Sequence, residues 1–281
     1  MSGTNSTSST ASPATYTHGH HASVLRSHSW RNVQNSCGYL IPELKNDFRV
    51  LDVGCGPGTI TVDLATYVPR GHVTGIEPEG AKDILDQARA HAAERRVTNV
   101  DFQVADVFNL PFADASFDLV HAHQVLQHIS DPVSALREMR RVCKPGGLVA
   151  AREVDMGATL FYPEVPGINS WLDLYLRVAR HNGGEPNAGR RLHAWARLAG
   201  FDPARMKLGA GTWCYATKEE RDWWSGLWAE RTLKSTFAKT ALEGGCCDQG
   251  ALEEAAKAWR RWGAEEDGWC TLIHGEVICS V

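Results

Sequence analysis

The stretch Val50-Leu51-Asp52-Val53-Gly54-Cys55-Gly56-Pro57-Gly58-Thr59 decides how this chain folds. Its first four residues pattern as a short strand, and three glycines then fall at every second position. Ile60, Leu64 and Val68 follow on one face of a helix. A glycine-rich turn between a parallel strand and a helix lets a ligand approach the backbone closely, because no Cβ intervenes. The spacing is GxGxG. A dinucleotide fingerprint needs a further glycine at position 59, where this chain has Thr59.

Outward from that turn, strands are expected at 48–53, 72–76, 100–104, 117–122 and 148–153, with helices at about 58–68, 79–96 and 132–143. Such alternation calls for a parallel sheet. Asp131 can cap the third helix, Pro132 suits its first turn, and Lys144-Pro145-Gly146-Gly147 stops it. Upstream, residues 16–45 read as helical and end at Pro42. Residues 1–15, rich in Ser and Thr, read as a disordered tail and not as a secretory signal. After 153 the character changes: nine of the ten tryptophans lie beyond position 170. Helices are expected there at about 168–182, 187–199, 218–240 and 249–262, and strands at 205–216 and 269–280. The organisation is then a tail (1–15), a helical lid (16–45), a ligand-binding core (46–160) and a substrate-side half (161–281).

Composition narrows the classes. A chain of 281 residues with 43% hydrophobic content suits one large domain or a domain plus a cap. A net charge of −4 offers no basic field, so no nucleic-acid partner is expected. No apolar run approaches the roughly 20 residues of a membrane span, so no membrane partner is expected either. Eight cysteines without CxxC or zinc-type spacing read as reduced, mostly buried thiols of a cytoplasmic enzyme, a monomer or homodimer. His18-Gly19-His20-His21 reads as a solvated or capping segment, and no metal is expected.

Glu77, in Gly75-Ile76-Glu77-Pro78 at the end of the second strand, falls 19 residues after Gly58. That is close to the offset at which an acid meets ribose hydroxyls in nucleoside-binding βαβ units. Its two oxygens can accept from both hydroxyls of a cis-diol. After the third strand, Asp106 can accept from an adenine amino group while Val107 and Phe108 offer an apolar wall. The fourth strand opens into His123-Gln124-Val125-Leu126-Gln127-His128, at the strand ends where ligands sit in open α/β sheets.

With Asp52 ahead of the glycines, the first stretch resembles motif I of the class I methyltransferases that use S-adenosylmethionine, and Ala105-Asp106-Val107 resembles their motif II. Residues 18–155 resemble the ubiquinone and menaquinone C-methyltransferase-like superfamily, in its microbial and fungal secondary-metabolism branch. The Arg-Asn pair usual after strand 4 of the quinone enzymes is absent, and Ala122-His123-Gln124 stands there instead. The resemblance implies an α/β fold, a doubly wound seven-stranded mostly parallel sheet with an N-terminal helical lid and a C-terminal helical insertion. The sheet closes with an antiparallel hairpin, here interrupted by a helical pair of about fifty residues. It implies S-adenosyl-L-methionine as cofactor and S-adenosyl-L-homocysteine as product. The contacts expected are Asp52, Gly54, Cys55, Gly56, Gly58, Glu77, Pro78, Ala105, Asp106, Val107, His121 and Ala122. Arg31 is a candidate for the methionine carboxylate.

Methyl transfer from a sulfonium is an in-line displacement that depends on proximity, orientation and a dry pocket. A general base matters only if the nucleophile holds its proton near neutral pH. His123 or His128 is the expected base, with His20 or His21 contributing from the lid. Trp171, Trp195, Trp213, Trp223, Trp224 and Trp228 can line an aromatic cleft or pack helices, and Arg190-Arg191 can meet an acidic substrate group. The expected acceptor is a small aromatic metabolite, methylated on oxygen before nitrogen, carbon or sulfur. A non-methylating catalyst or a binding protein on the same fold is the alternative; a nicotinamide oxidoreductase is disfavoured by Thr59.

Overall fold

A computed structural model describes residues 27–281. Its strands are β1 (Arg49–Val53), β2 (His72–Glu77), β3 (Val100–Val104), β4 (Phe117–His123), β5 (Cys143–Tyr162), β6 (Met206–Tyr215) and β7 (Trp269–Ser280). They form one sheet in the order β3-β2-β1-β4-β5-β7-β6. The first five pair in parallel, and β7 runs antiparallel between β5 and β6. Central β1 is buried after its first residue, as a strand covered by helices on both faces must be. Strand order reverses between β1 and β4, so the glycine turn and the end of β4 meet at the carboxyl edge of the sheet.

Helix α1 (Val33–Ser36) precedes the sheet; α2 (Thr59–Tyr67), α3 (Lys82–Glu94) and α4 (Pro132–Val142) alternate with its strands. Helix α2 begins at Gly58, whose φ is +77° and where an added Cβ would stand 2.8 Å from the Ala88 Cβ of α3. Position 58 therefore needs glycine for packing as well as conformation. Asp131 caps α4 by accepting from Ser134 N at 2.9 Å, with Pro132 in the first turn. The later helices are α5 (Ile168–His181), α6 (Leu192–Leu198), α7 (Lys218–Lys234), α8 (Thr236–Glu243) and α9 (Gln249–Ala264). With parts of β5, β6 and the start of β7, α5, α7, α8 and α9 enclose a core rich in Trp171, Trp224, Trp228, Trp259 and Trp262, while α6 packs into the core beside α4. Among the described residues, no helix is long and apolar enough to cross a membrane.

Four expectations change. The stretch expected as helix to Pro42 is, from residue 27, a series of short pieces: Asn32 restarts the chain with a capping box, and Pro42 lies inside a 3-10 helix, Gly38–Glu43. Strand β5 continues well past 153, because its second half pairs with the start of β7 beyond a bulge between Asp155 and Leu160. The helix expected over 218–240 breaks at Ser235, whose hydroxyl donates to Arg231 O and accepts from Phe237 N. The interruption of the closing hairpin is thus three helices, not a pair.

Candidate active site

A cavity of about 650 Å³ opens at the carboxyl edge of the sheet and runs from the glycine turn to the tryptophan-rich core. At one end stand Asp52, Gly54, Cys55, Gly56, Glu77, Pro78, Ala105, Asp106 and Val107. Gly54 and Gly56 have φ of +68° and +55°, and a Cβ on Gly54 would collide with Val125. The turn therefore keeps its backbone bare where a ligand must come close. Glu77 accepts from Gly56 N at 2.5 Å. Burial pushes its carboxyl up to about 7, against the opposing pull of that hydrogen bond. Asp106 accepts from Phe108 N at 2.9 Å, so it orders its own turn while facing the cavity.

Three of the expected cofactor residues do not line the cavity. Gly58 is turned into the packing of α2 on α3. Ala122 is fully buried in the core. His121 is also fully buried, and its Nδ1 lies 2.8 Å from Asp52 Oδ1 while its Nε2 lies 3.4 Å from Cys37 Sγ. Burial alone would lower His121, but the Cys37 sulfur and the Asp52 carboxylate outweigh it and hold the imidazole up at about 10. Thr61 donates to the other Asp52 oxygen at 2.6 Å. His121 and Thr61 thus fix Asp52, a residue that lines the cavity.

The N-terminal segment covers the junction. His28 O accepts from Thr59 Oγ1 at 3.0 Å, and Val33 N donates to Asp63 at 2.8 Å. The Trp30 ring meets Trp213 at 5.3 Å, and Asn35 O accepts from the Trp213 indole at 2.7 Å. Arg31 lines the cavity and donates to Gln124 Oε1 at 2.8 Å. His20 and His21, the expected lid contributors, lie outside the described residues.

His123 lines the cavity, 5% exposed. Arg152 Nη1 sits 3.3 Å from its Nε2. A guanidinium can only donate, so Nε2 carries the lone pair and the neutral ring holds its proton on Nδ1, which is buried without a partner. Burial, then Arg31 and Arg152, push His123 well below the ordinary histidine range. His128 accepts from the Gln127 amide at 2.9 Å, and burial with Arg31 pushes it down to about 3. In both rings Nε2 is engaged by a donor and the imidazole is held below the ordinary histidine range, so each is the neutral, weakly basic form as placed here. Arg190 and Arg191 lie away from the cavity, paired to Asp155 and Glu185.

Sequence reasoning missed two supporting residues. Glu153, fully buried on β5, accepts from Val125 N (2.9 Å), Leu126 N (2.8 Å) and Gln127 N (3.3 Å). It thereby shapes the turn after β4, where Gln124 adopts a φ of +56°. An acid inside the apolar run Val149-Ala150-Ala151-Arg152-Glu153-Val154 was the signal. Gln124 itself bridges Arg31 and His274, its amide reaching His274 Nε2 at 2.9 Å. Of the six tryptophans named for the cleft, Trp213, Trp224 and Trp228 line the cavity. Trp171 is fully buried core, and Trp195 and Trp223 pack partly buried against the cores.

A doubly wound sheet with this strand order, a bare glycine turn after β1 and an acid closing β2 defines a class I methyltransferase. The chain belongs to the methyltransferase-domain family, which matches residues 44–200. It is 36% identical over 269 residues to an uncharacterized methyltransferase of Schizosaccharomyces pombe, covering 94% of this chain and 95% of that one. The Aspergillus luteorubrus protein named "Probable methyltransferase ltbC" is 28% identical over 288 residues, 96% and 98% of the two chains. Among solved structures, the YcgJ protein of Bacillus subtilis has the same fold, with a TM-score of 0.53 at 20% identity, covering 88% of this chain and 98% of that one. The chain is an S-adenosylmethionine-dependent methyltransferase. The buried Glu77 carboxylate and the glycine cradle suit a nucleoside with a free cis-diol.

Ribose hydroxyls bond best to an ionised Glu77, which offers both oxygens as acceptors, so cofactor affinity is expected to follow that group. Below its free-state value of about 7, binding to the ionised form releases a proton, and affinity falls with pH, by at most tenfold per unit, toward the weaker level of the protonated form. Affinity levels off at higher pH. Calorimetric titrations with S-adenosylhomocysteine at pH 6 and pH 8, in two buffers of different ionisation heat, check both the slope and the proton release.

Proposed function

We propose that this enzyme methylates a small aromatic, secondary-metabolite-like acceptor, on oxygen before nitrogen, carbon or sulfur. The observation that carries this reading is the continuity of one cavity from the glycine turn, past His123 and Gln124, to Tyr175, Trp213, Tyr215, Trp224 and Trp228. Flat, apolar walls of this kind suit an aromatic ring and exclude water from the reacting centre. The bound cofactor supplies an electrophilic methyl group on a sulfonium. Glu77, Asp52, Asp106 and the turn amides would hold it, and Arg31 would meet its carboxylate. Gln124, tied to Arg31 and His274, keeps the turn between the two ends in one conformation.

Where the acceptor needs a base, His123 or His128 serves once its Nε2 is released from its present donor, with His20 or His21 contributing. A cytoplasmic monomer or homodimer belongs to the same reading; all eight cysteines are free, five of them buried. Incubating the protein with methyl-labelled cofactor and a panel of phenols, aromatic acids and aromatic amines tests it. The expected result is label on a hydroxylated or carboxylated ring; label confined to amines would displace oxygen as the acceptor atom.

A further inference from the structure

His123, Arg152 and Glu276 stand in one row across three neighbouring strands. His123 of β4 is paired with Arg152 of β5, and Arg152 with Glu276 of β7. The register of the sheet therefore sets their side chains on one face, each within reach of the next. The Arg152 guanidinium, 2% exposed, lies 3.1 Å from Glu276 Oε1 and 3.3 Å from His123 Nε2. The Trp213 ring closes the group, 5.1 Å from that guanidinium and 5.7 Å from the His123 ring. Gly211 leaves room for the ion pair, since a Cβ there would press on the Glu276 carboxylate.

This row fixes the state of His123. Its Nε2 accepts from Arg152, so the ring proton sits on Nδ1, and that N–H is buried with no partner among the described residues. Burial, more than the neighbouring guanidinium groups, keeps the ring neutral. A buried donor without an acceptor is costly to keep. Tyr215, 1% exposed and also lining the cavity, has a hydroxyl without a partner among the described residues. A hydroxyl can donate or accept, so it does not choose the ligand atom it meets. The Nδ1–H can only donate, and it selects an atom with a lone pair.

We propose that the methyl acceptor carries, beside the group that is methylated, a second oxygen with a free lone pair, and that the His123 Nδ1–H binds it. Arg152, held by Glu276, is the positioning residue that keeps the proton on Nδ1. A site built around a buried donor rejects a ligand lacking the matching atom, because the donor is then left unpaired. The bound oxygen is not the methylated one, since a donor there would draw on the lone pair that the transfer needs. Binding through Nδ1 leaves Nε2 as the nitrogen that takes a proton where a base is needed. The proposal rests on the reading of this cavity as the acceptor site.

Two measurements on the full chain test it. Nitrogen NMR of histidine-labelled protein, with the His123 ring identified by its loss in His123→Leu, should show Nδ1 protonated and Nε2 bare. A protonated Nε2 in the parent overturns the proposal. Arg152→Met should let the other tautomer appear; a ring that keeps only the Nδ1–H form removes Arg152 from its positioning role. Calorimetry in saturating S-adenosylhomocysteine then compares 2-hydroxyacetophenone with 2-isopropylphenol, which has nearly the same shape but no carbonyl oxygen. His123→Leu should weaken binding of the ketone by about fivefold or more and change that of 2-isopropylphenol by less than about twofold. Equal effects on both probes, or none on the ketone, overturn the proposal. A circular-dichroism spectrum matching the parent reports an intact fold, and the parent's own nitrogen spectrum decides the tautomer if a variant does not fold. Failure of the parent to bind the ketone while S-adenosylhomocysteine binds also overturns the proposal and leaves the methyltransferase assignment standing. Failure of S-adenosylhomocysteine to bind strikes that assignment instead.

Discussion

Glu77→Ala is expected to weaken S-adenosylmethionine binding by a factor of a hundred or more while leaving the protein folded. Two hydrogen bonds from ribose hydroxyls to a carboxylate are each worth about 1.5–3 kcal/mol, so their joint loss spans roughly two to four decades. The group costs the cofactor-free protein something to keep: burial raises its carboxyl to about 7. Its ionised form is therefore penalised in the folded state, and stability is reduced as pH rises from the ordinary carboxylate range through 7. Removing it should not lower the melting temperature at pH 8. Glu77→Gln keeps one acceptor oxygen and should fall between the parent and the alanine variant. Calorimetry with S-adenosylhomocysteine and a thermal melt on the same samples check both halves. Wild-type affinity in Glu77→Ala would remove Glu77 from the nucleoside site.

Glu153→Ala is expected to destabilise the whole protein. Three backbone N–H groups, of part-buried Val125 and of buried Leu126 and Gln127, lose their acceptor at once. Each buried, unsatisfied donor costs about 1–3 kcal/mol, so the loss should reach about 3 kcal/mol or more and lower the melting temperature by roughly 5 °C or more. Glu153→Gln retains an oxygen for the close pair at Val125 and Leu126 and should lose much less. Burial raises the Glu153 carboxyl to about 7 despite those three hydrogen bonds. The parent protein should therefore lose part of its stability between about pH 4.5 and pH 7, a dependence that Glu153→Gln should shed. Melts by circular dichroism at pH 5 and pH 8 read both effects. A Glu153→Ala variant as stable as the parent would mean that the turn finds other acceptors.

Several features of the cofactor end were legible from local pattern. Alternation of short apolar runs with helical periods requires a parallel sheet, and three glycines at a strand end require positive φ or close packing wherever the chain folds this way. The expected places of α2, α3 and α4 hold within a few residues, because caps such as Asp131 and Gly58 act on their own neighbours. His123 shows where such reading stops. Histidine at a strand mouth suggests a base, yet the Arg152 guanidinium, 29 residues away in sequence, takes its Nε2. Nothing local to position 123 announces that partner. The tryptophans behave likewise: Trp171 and Trp228 sit in one cluster, but only Trp228 reaches the cavity.

The sequence by itself determined the class of this protein, because a glycine turn, its acid partner at Glu77 and the strand–helix alternation are effects of near neighbours along the chain. Tertiary structure alone decided which groups meet across the sheet. It buried His121 against Asp52 and Cys37, made Glu153 the support of the β4 turn, and carried Arg231 from the helical insertion into the aromatic end of the cavity. The physical reason is common to all three. Burial and long-range partners set the charge and hydrogen-bonding state of a side chain, and both depend on residues brought together only when the chain closes on itself.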